Sequence, residues 1–216
     1  GLPGQDTSRG NPFPQSAIGE FKVITQNYKA EFDQISSAAI VAATRSGTSE
    51  FEGSLFVDRT GTEWRAKTPG ELRPGRQKAR SKEEQYGVSW GGPIIKDKLH
   101  FFAAYEGKSY STPRTLQLGA VGRYDPATVP ASLLSQLGSA ASPFTEDMFF
   151  GKLSWVVNEA NLVELSAQQR REEEVILNSG ANTVNRASVN ENDVTRYDLR
   201  WQYSSTYVST DNVELD

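Results

Sequence analysis

Chemistry in this chain would have to be built from few reactive side chains. There is one histidine, His100, and no cysteine, so thiolate metal sites, disulfides, cysteine nucleophiles and the common zinc or Ser-His constellations lack their parts. His100 falls in an alternating segment and reads as a lumen-lining or structural polar residue, not a general base. Glu172, Glu173 and Glu174 follow Arg170 and Arg171; such a charge run is expected on a solvated loop rather than as an acid/base pair. Asn190-Glu191-Asn192-Asp193 offers hard oxygens without the glycine and distal glutamate of a calcium loop, and reads as a loop. Gly70-Glu71-Leu72-Arg73-Pro74-Gly75-Arg76 lacks the Lys-Ser/Thr pair of a phosphate loop. No catalytic residue, cofactor or metal ligand is assigned, and an enzyme is not expected.

One stretch is strongly charged. Arg65, Lys67, Arg73, Arg76, Lys78, Arg80 and Lys82 have few acids among them. In an extracellular loop they would suit lipopolysaccharide phosphates or an anionic ligand; a solvated, mobile loop is the other reading. The chain as a whole carries a net charge of −4 and a pI near 5.2, which argues against nucleic acid as a partner.

The elements that must position these residues are strands. Glycines number 18 and prolines 10, and they punctuate short runs rich in Val, Ile, Phe, Tyr and Trp, a pattern that predicts an all-β chain. Mean hydropathy is −0.55 and no long apolar run occurs, so a membrane-spanning helix is not expected. A membrane barrel is still allowed, because its strands alternate lipid-facing and lumen-facing side chains. From Phe51 onward that alternation recurs. Leu55 and Val57 oppose Ser54 and Asp58, with Phe56 an exception. Tyr86, Val88 and Trp90 oppose Gln85, Gly87 and Ser89. Leu153, Trp155 and Val157 oppose Lys152 and Ser154, with Val156 an exception. Tyr197, Leu199, Trp201 and Tyr203 oppose Asp198, Arg200 and Gln202. Connectors alternate between short (96–98, 158–161) and long (about 60–84, 107–147 and 171–194), as periplasmic turns and extracellular loops do in an antiparallel barrel; compact soluble domains seldom carry such long loops. Leu133, Leu134 and Leu137, with Gly138 as a stop, predict a short helix in the second long loop.

The first part of the chain differs. A Pro/Gly/Asn-rich stretch (10–14) leads to Phe21-Lys22-Val23-Ile24-Thr25 and a small-residue strand at 38–44, the latter apolar on both faces and therefore expected to be buried on both sides. The N-terminus has no initiator Met, basic region or apolar core of a signal peptide, and the C-terminus falls within an alternating segment. The expectation is a piece cut at both ends from a longer protein.

Ile18-Gly19-Glu20-Phe21-Lys22-Val23, Asn27-Tyr28-Lys29-Ala30-Glu31-Phe32 and Val41-Ala42-Ala43-Thr44-Arg45-Ser46-Gly47-Thr48 together resemble the end of the plug domain of TonB-dependent receptors, in the Oar-like subgroup. Phe51-Glu52-Gly53-Ser54-Leu55-Phe56 resembles that subgroup's first barrel strand. Gly91-Gly92-Pro93-Ile94-Ile95-Lys96-Asp97-Lys98-Leu99-His100-Phe101-Phe102 resembles its "GGPIIKDK-x-FFF" hairpin. Phe32-Asp33-Gln34-Ile35 stands where the family has small residues. The resemblance implies a partial antiparallel transmembrane β-barrel carrying a plug remnant. Residues 1–48 would be the C-terminal part of the plug and 49–216 the first strands of a barrel of about 22. It also implies contact with outer-membrane lipid, coupling to TonB through a segment outside this chain, import of an unidentified ligand, and residence in the bacterial outer membrane. Glu20 and Arg45, at matched plug positions, would then pair with the barrel wall or each other. Two rivals are a surface barrel for adhesion or vesicle sorting and a soluble β-rich glycan-binding module.

Overall fold

The computed structural model describes residues 13–24, 39–67, 72, 81–116, 125–177 and 184–204. A single 3₁₀ turn, Gln15–Ala17, leads into β1 (Ile18–Ile24), which pairs antiparallel with β2 (Ala39–Thr44) as a two-stranded sheet. Six further strands follow: β3 (Glu52–Gly61), β4 (Lys82–Ile95), β5 (Leu99–Leu116), β6 (Gly138–Asn158), β7 (Asn161–Ile176) and β8 (Ser188–Tyr203). They form one antiparallel meander in sequence order, with β3 and β8 as its two open edges. The sheet is not closed into a barrel by these strands.

Turn chemistry fixes the two tight hairpins. Between β4 and β5, Lys96-Asp97-Lys98 turns with Asp97 at φ 61°, a left-handed conformation that Asp tolerates better than most residues. The Lys98 amide donates to the Ile95 carbonyl at 3.1 Å. Between β6 and β7 the Asn158 side chain accepts from the Ala160 amide at 3.0 Å and from Asn161 Nδ2 at 2.8 Å, an Asx-turn that closes the loop without glycine. The opposite connections are longer, and α1 (Ala131–Leu134) gives the second of them one turn of helix where a somewhat longer one is predicted.

These loops are shorter than the sequence suggests. Residues 107–116, 138–147, 171–176 and 188–194 continue β5 to β8 in unbroken register. The alternation of apolar and polar residues fades in these stretches, whereas the backbone ladder does not. At about 3.3 Å per residue the 21 residues of β6 reach roughly 70 Å, well beyond an apolar band of about 25 Å. Outside that band neither face needs to be apolar, so the hydrophobic signal stops before the strand does.

The alternation segregates the faces as expected and inverts the polarity of a soluble sheet. One face shows Leu55, Val57, Tyr86, Val88, Trp90, Leu153, Trp155, Leu165, Leu199 and Trp201, all exposed, with Trp90 at 57% and Trp201 at 70%. The other buries Ser89, Glu106, Glu146, Ser154, Glu164, Gln168, Arg170, Glu172 and Glu174 among Phe102, Ala104, Phe144, Met148 and Phe150. Left in water, each of Leu55, Leu153, Leu165 and Leu199 would forgo up to about 1.5–3 kcal/mol. Four such residues already approach the net stability of a domain, about 5–15 kcal/mol, so the exposed face requires an apolar surrounding. Cross-strand aromatics tie it together: Tyr105 packs on Phe149 at 4.7 Å between centroids and Trp90 meets Phe101 edge-on at 5.3 Å. The odd Phe56 turns to the opposite face and lies over Gly87, whose missing Cβ makes room for the ring.

One expectation fails. Ala42 and Ala43 of β2, like Phe21 and Val23 of β1, are exposed. An apolar pattern on both faces specifies what a strand can pack against; among the described residues, no second layer covers these faces.

Candidate functional site

The covered face of the large sheet is where segment 13–17 and the end of β2 meet the wall. Ala17 is fully buried in a cluster with Phe102, Ala104 and Phe150, and Phe13 packs edge-on against Phe150 at 6.1 Å. The Ala17 amide closes the 3₁₀ turn on the Pro14 carbonyl at 3.0 Å, and the Arg45 amide donates to the Ala17 carbonyl at 2.8 Å. The turn and the chain leaving β2 are therefore held together by their backbones. The Gln15 amide donates to Glu106 Oε2 at 2.6 Å.

The chain next crosses the strands at Gly47. A Cβ there would lie 2.1 Å from the Phe101 carbonyl oxygen, so a close approach of two backbones requires glycine. On one side of the crossing, Ser46 Oγ reaches Glu164 Oε1 at 3.4 Å. On the other, Ser49 Oγ donates to Asp97 at 2.7 Å and lies 3.2 Å from His100 Nε2. His100 is thus a half-buried structural residue on the covered face.

Glu164 is the centre of the charged network on this face. Lys152 Nζ lies 2.9 Å from Oε1, Arg200 Nη1 3.4 Å from Oε2, and Ser154 Oγ 3.4 Å from Oε1. Lys152 and Glu164 are nearly buried and Arg200 is mostly exposed, so the short pair dominates. A cleft beside the network is lined by Phe13, Thr44, Phe150, Gln168 and Arg196.

The sequence-selected residues fare unevenly. Glu20 stands opposite Ala43 in the register; Glu20 and Arg45 are both exposed, and no ion pair joins them among the described residues. Arg45 lines a cleft with Glu52, Ser54 and Phe102. Of the basic stretch, Arg73, Arg76, Lys78 and Arg80 lie outside the described residues. Arg65 donates to Ser81 Oγ at 3.0 Å and to the Ala66 carbonyl at 3.1 Å, Lys82 pairs with Glu84 at 2.6 Å, and Lys67 is exposed. Glu172 and Glu174 are not on a solvated loop: they point to the covered face of β7 with Arg170, and Glu173 alone points out. Likewise 190–193 is part of β8, where Asp193 pairs with Arg171 at 3.3 Å. The signal for Glu172 and Glu174 was their two-residue spacing from Gln168 and Arg170. The residues that matter most at the contact, Glu106 and Glu164, had no distinguishing spacing of their own.

The model of the family described as outer membrane beta barrel domain matches residues 43–200. This chain belongs to that family. The barrel domain resides in the bacterial outer membrane, and its family is one of barrels, not enzymes. It accounts for the inverted faces, since lipid supplies the apolar surrounding that Trp90, Leu165 and Trp201 need. The chain is also 28% identical over 170 residues to the TonB-dependent transporter Oar of Myxococcus xanthus, an alignment covering 72% of this chain and 16% of that protein. No solved structure matches it significantly.

Proposed function

We propose that this chain is the plug end (1–48) and first wall strands (49–216) of a TonB-dependent transporter, which binds a ligand at the cell surface and imports it through a closed barrel. The observation that carries this reading is the seating of segment 13–17 on the covered face: an open pore has no need of a buried Ala17 and a partly buried Phe13 against its wall, whereas a plugged one does. The distant likeness to a TonB-dependent transporter supports it. Transport then depends on displacing that segment, with energy relayed by TonB, and the wall's task is to hold and release. Arg65, Lys67, Arg73, Arg76, Lys78, Arg80 and Lys82 would meet an anionic ligand or lipopolysaccharide phosphates at the outer face.

Spent-medium mass spectrometry tests this. Strains lacking the gene, or lacking TonB, should leave in the medium at least one compound that the parent strain removes. Unchanged uptake in both deletions, together with lost surface attachment or altered vesicle cargo, would favour the adhesion or sorting role instead.

A further inference from the structure

Glu106 is wholly buried on the covered face of β5. Each carboxylate oxygen takes one neutral donor at 2.6 Å: Oε2 the backbone amide of Gln15, Oε1 the Nε2 of Gln85. Its cross-strand neighbours are Gly87 and Met148. The basic residue two places along, Lys108, instead pairs with Glu83 at 3.7 Å. Burying a carboxylate in such company is costly unless its hydrogen bonds are good, and the two covered positions before it on β5 are the apolar Phe102 and Ala104.

The donor on the segment is main chain, so Glu106 recognises where the segment lies and not which side chain it carries. Short bonds to a carboxylate are about twice as strong as neutral ones. The bond also lands on a rigid target, because the turn around Gln15 is closed on Pro14 and tied to Arg45 through Ala17. Held at Gln15, the whole turn is held.

We propose that Glu106 is the wall-side tether of the plug: its carboxylate fixes segment 13–17 through the Gln15 amide, aimed by Gln85, and this contact must break before the segment can move. The proposal rests on the plug reading given above.

Labelling of the full-length protein in its own outer membrane tests it. Among the described residues the buried Ser16 Oγ has no hydrogen-bond partner, so Ser16→Cys introduces a thiol without removing a bond; this chain has no cysteine, and any that the rest of the full-length protein carries is first replaced by serine. A membrane-impermeant maleimide should label the introduced thiol slowly in that background. Glu106→Ala should raise the labelling rate at least tenfold. Gln15→Pro should do the same while leaving the wall untouched, because Pro14 already has the extended ψ of 137° that a following proline needs. Gln15→Ala, which keeps the amide, should change nothing. Heat-modifiable electrophoretic mobility checks that each barrel is folded, and if Glu106→Ala fails there, Gln15→Pro alone decides. Equally slow labelling in all variants would overturn the tether and leave the plug intact. Rapid labelling of Ser16→Cys alone would overturn the plug reading itself.

Discussion

Leu153 and Leu165 stand directly opposite one another on β6 and β7, and both are substantially exposed; one place along the same strands Ser154 faces Glu164, and both are buried. A water-soluble sheet would reverse these two pairs. The inversion is the simplest physical statement of what surrounds this wall, and it gives the first prediction. Leu165 lies between the level of Trp155 and Trp201 and that of Tyr105 and Phe149, near the middle of the apolar band. Leu165→Arg should cost about 2–4 kcal/mol, and Glu173→Arg, beyond the band, about 0–1 kcal/mol. Urea unfolding in phospholipid vesicles measures both. Equal costs would mean that this face does not touch hydrocarbon.

The same inversion bears on handling. With an apolar outer band and, among the described residues, unpaired edges at β3 and β8, the 216-residue chain expressed by itself should aggregate in water and disperse in detergent. Sedimentation without detergent as a monodisperse monomer would contradict the membrane assignment.

Much of this is legible in the sequence. Period-two alternation places Tyr86, Trp90, Leu153, Trp155 and Trp201 on one face, and Lys96-Asp97-Lys98 and Asn158 mark the tight turns. What escapes does so where the hydrophobic signal ends. Residues 107–116 and 138–147 are strands beyond the band, where polar residues suit both faces. Glu172 and Glu174 read as a solvated run because their neighbours Arg171 and Glu173 are charged too, so their two-residue spacing from Gln168 and Arg170 is not set off by any contrast in polarity. Glu106 and Glu164 are invisible as contact residues because their partners, Gln15 and Ser46, are 91 and 118 positions away in the chain. Long-range pairing leaves no local pattern.

Lys152 and Glu164 give a second energetic test. Both are nearly buried at 2.9 Å, whereas Arg200 reaches the same carboxylate from solvent at 3.4 Å. Glu164→Ala strands the Lys152 ammonium and should cost about 3–5 kcal/mol; Arg200→Ala, removing an exposed partner, should cost about 0–1 kcal/mol. Denaturant midpoints of the two variants distinguish them. A Glu164→Ala effect as small as that of Arg200→Ala would mean that Lys152 finds water.

The hairpin between β4 and β5 sets two demands at once. Asp97 holds φ at 61° and also accepts from Ser49 at 2.7 Å. Asp97→Asn meets both and should be near neutral. Asp97→Gly relaxes the backbone but loses the bond, so the two effects, each of order 1 kcal/mol, should largely cancel. Asp97→Val meets neither and should destabilise by about 2 kcal/mol or more. Thermal midpoints close to the parent for Asn and Gly, with Val well below both, check this; Gly well above Asn would show that the Ser49 bond contributes nothing.

Gly47 and Gly61 offer the sharpest contrast in the chain. A Cβ on Gly47 would meet the Phe101 carbonyl oxygen at 2.1 Å, whereas one on Gly61 has none of the described residues within 4 Å. The obstacle at Gly47 is backbone in the middle of a paired strand, which cannot rotate away as a side-chain end could, so Gly47→Ala must lift the chain leaving β2 off the wall. It should cost about 1–3 kcal/mol. It should also loosen the turn that Arg45 ties to the chain leaving β2, visible as faster maleimide labelling of Ser16→Cys in the Gly47→Ala background. Gly61→Ala should leave stability unchanged or slightly raised through the unfolded state. If Gly47→Ala proves as silent as Gly61→Ala in unfolding and in labelling, the two backbones do not cross at this distance.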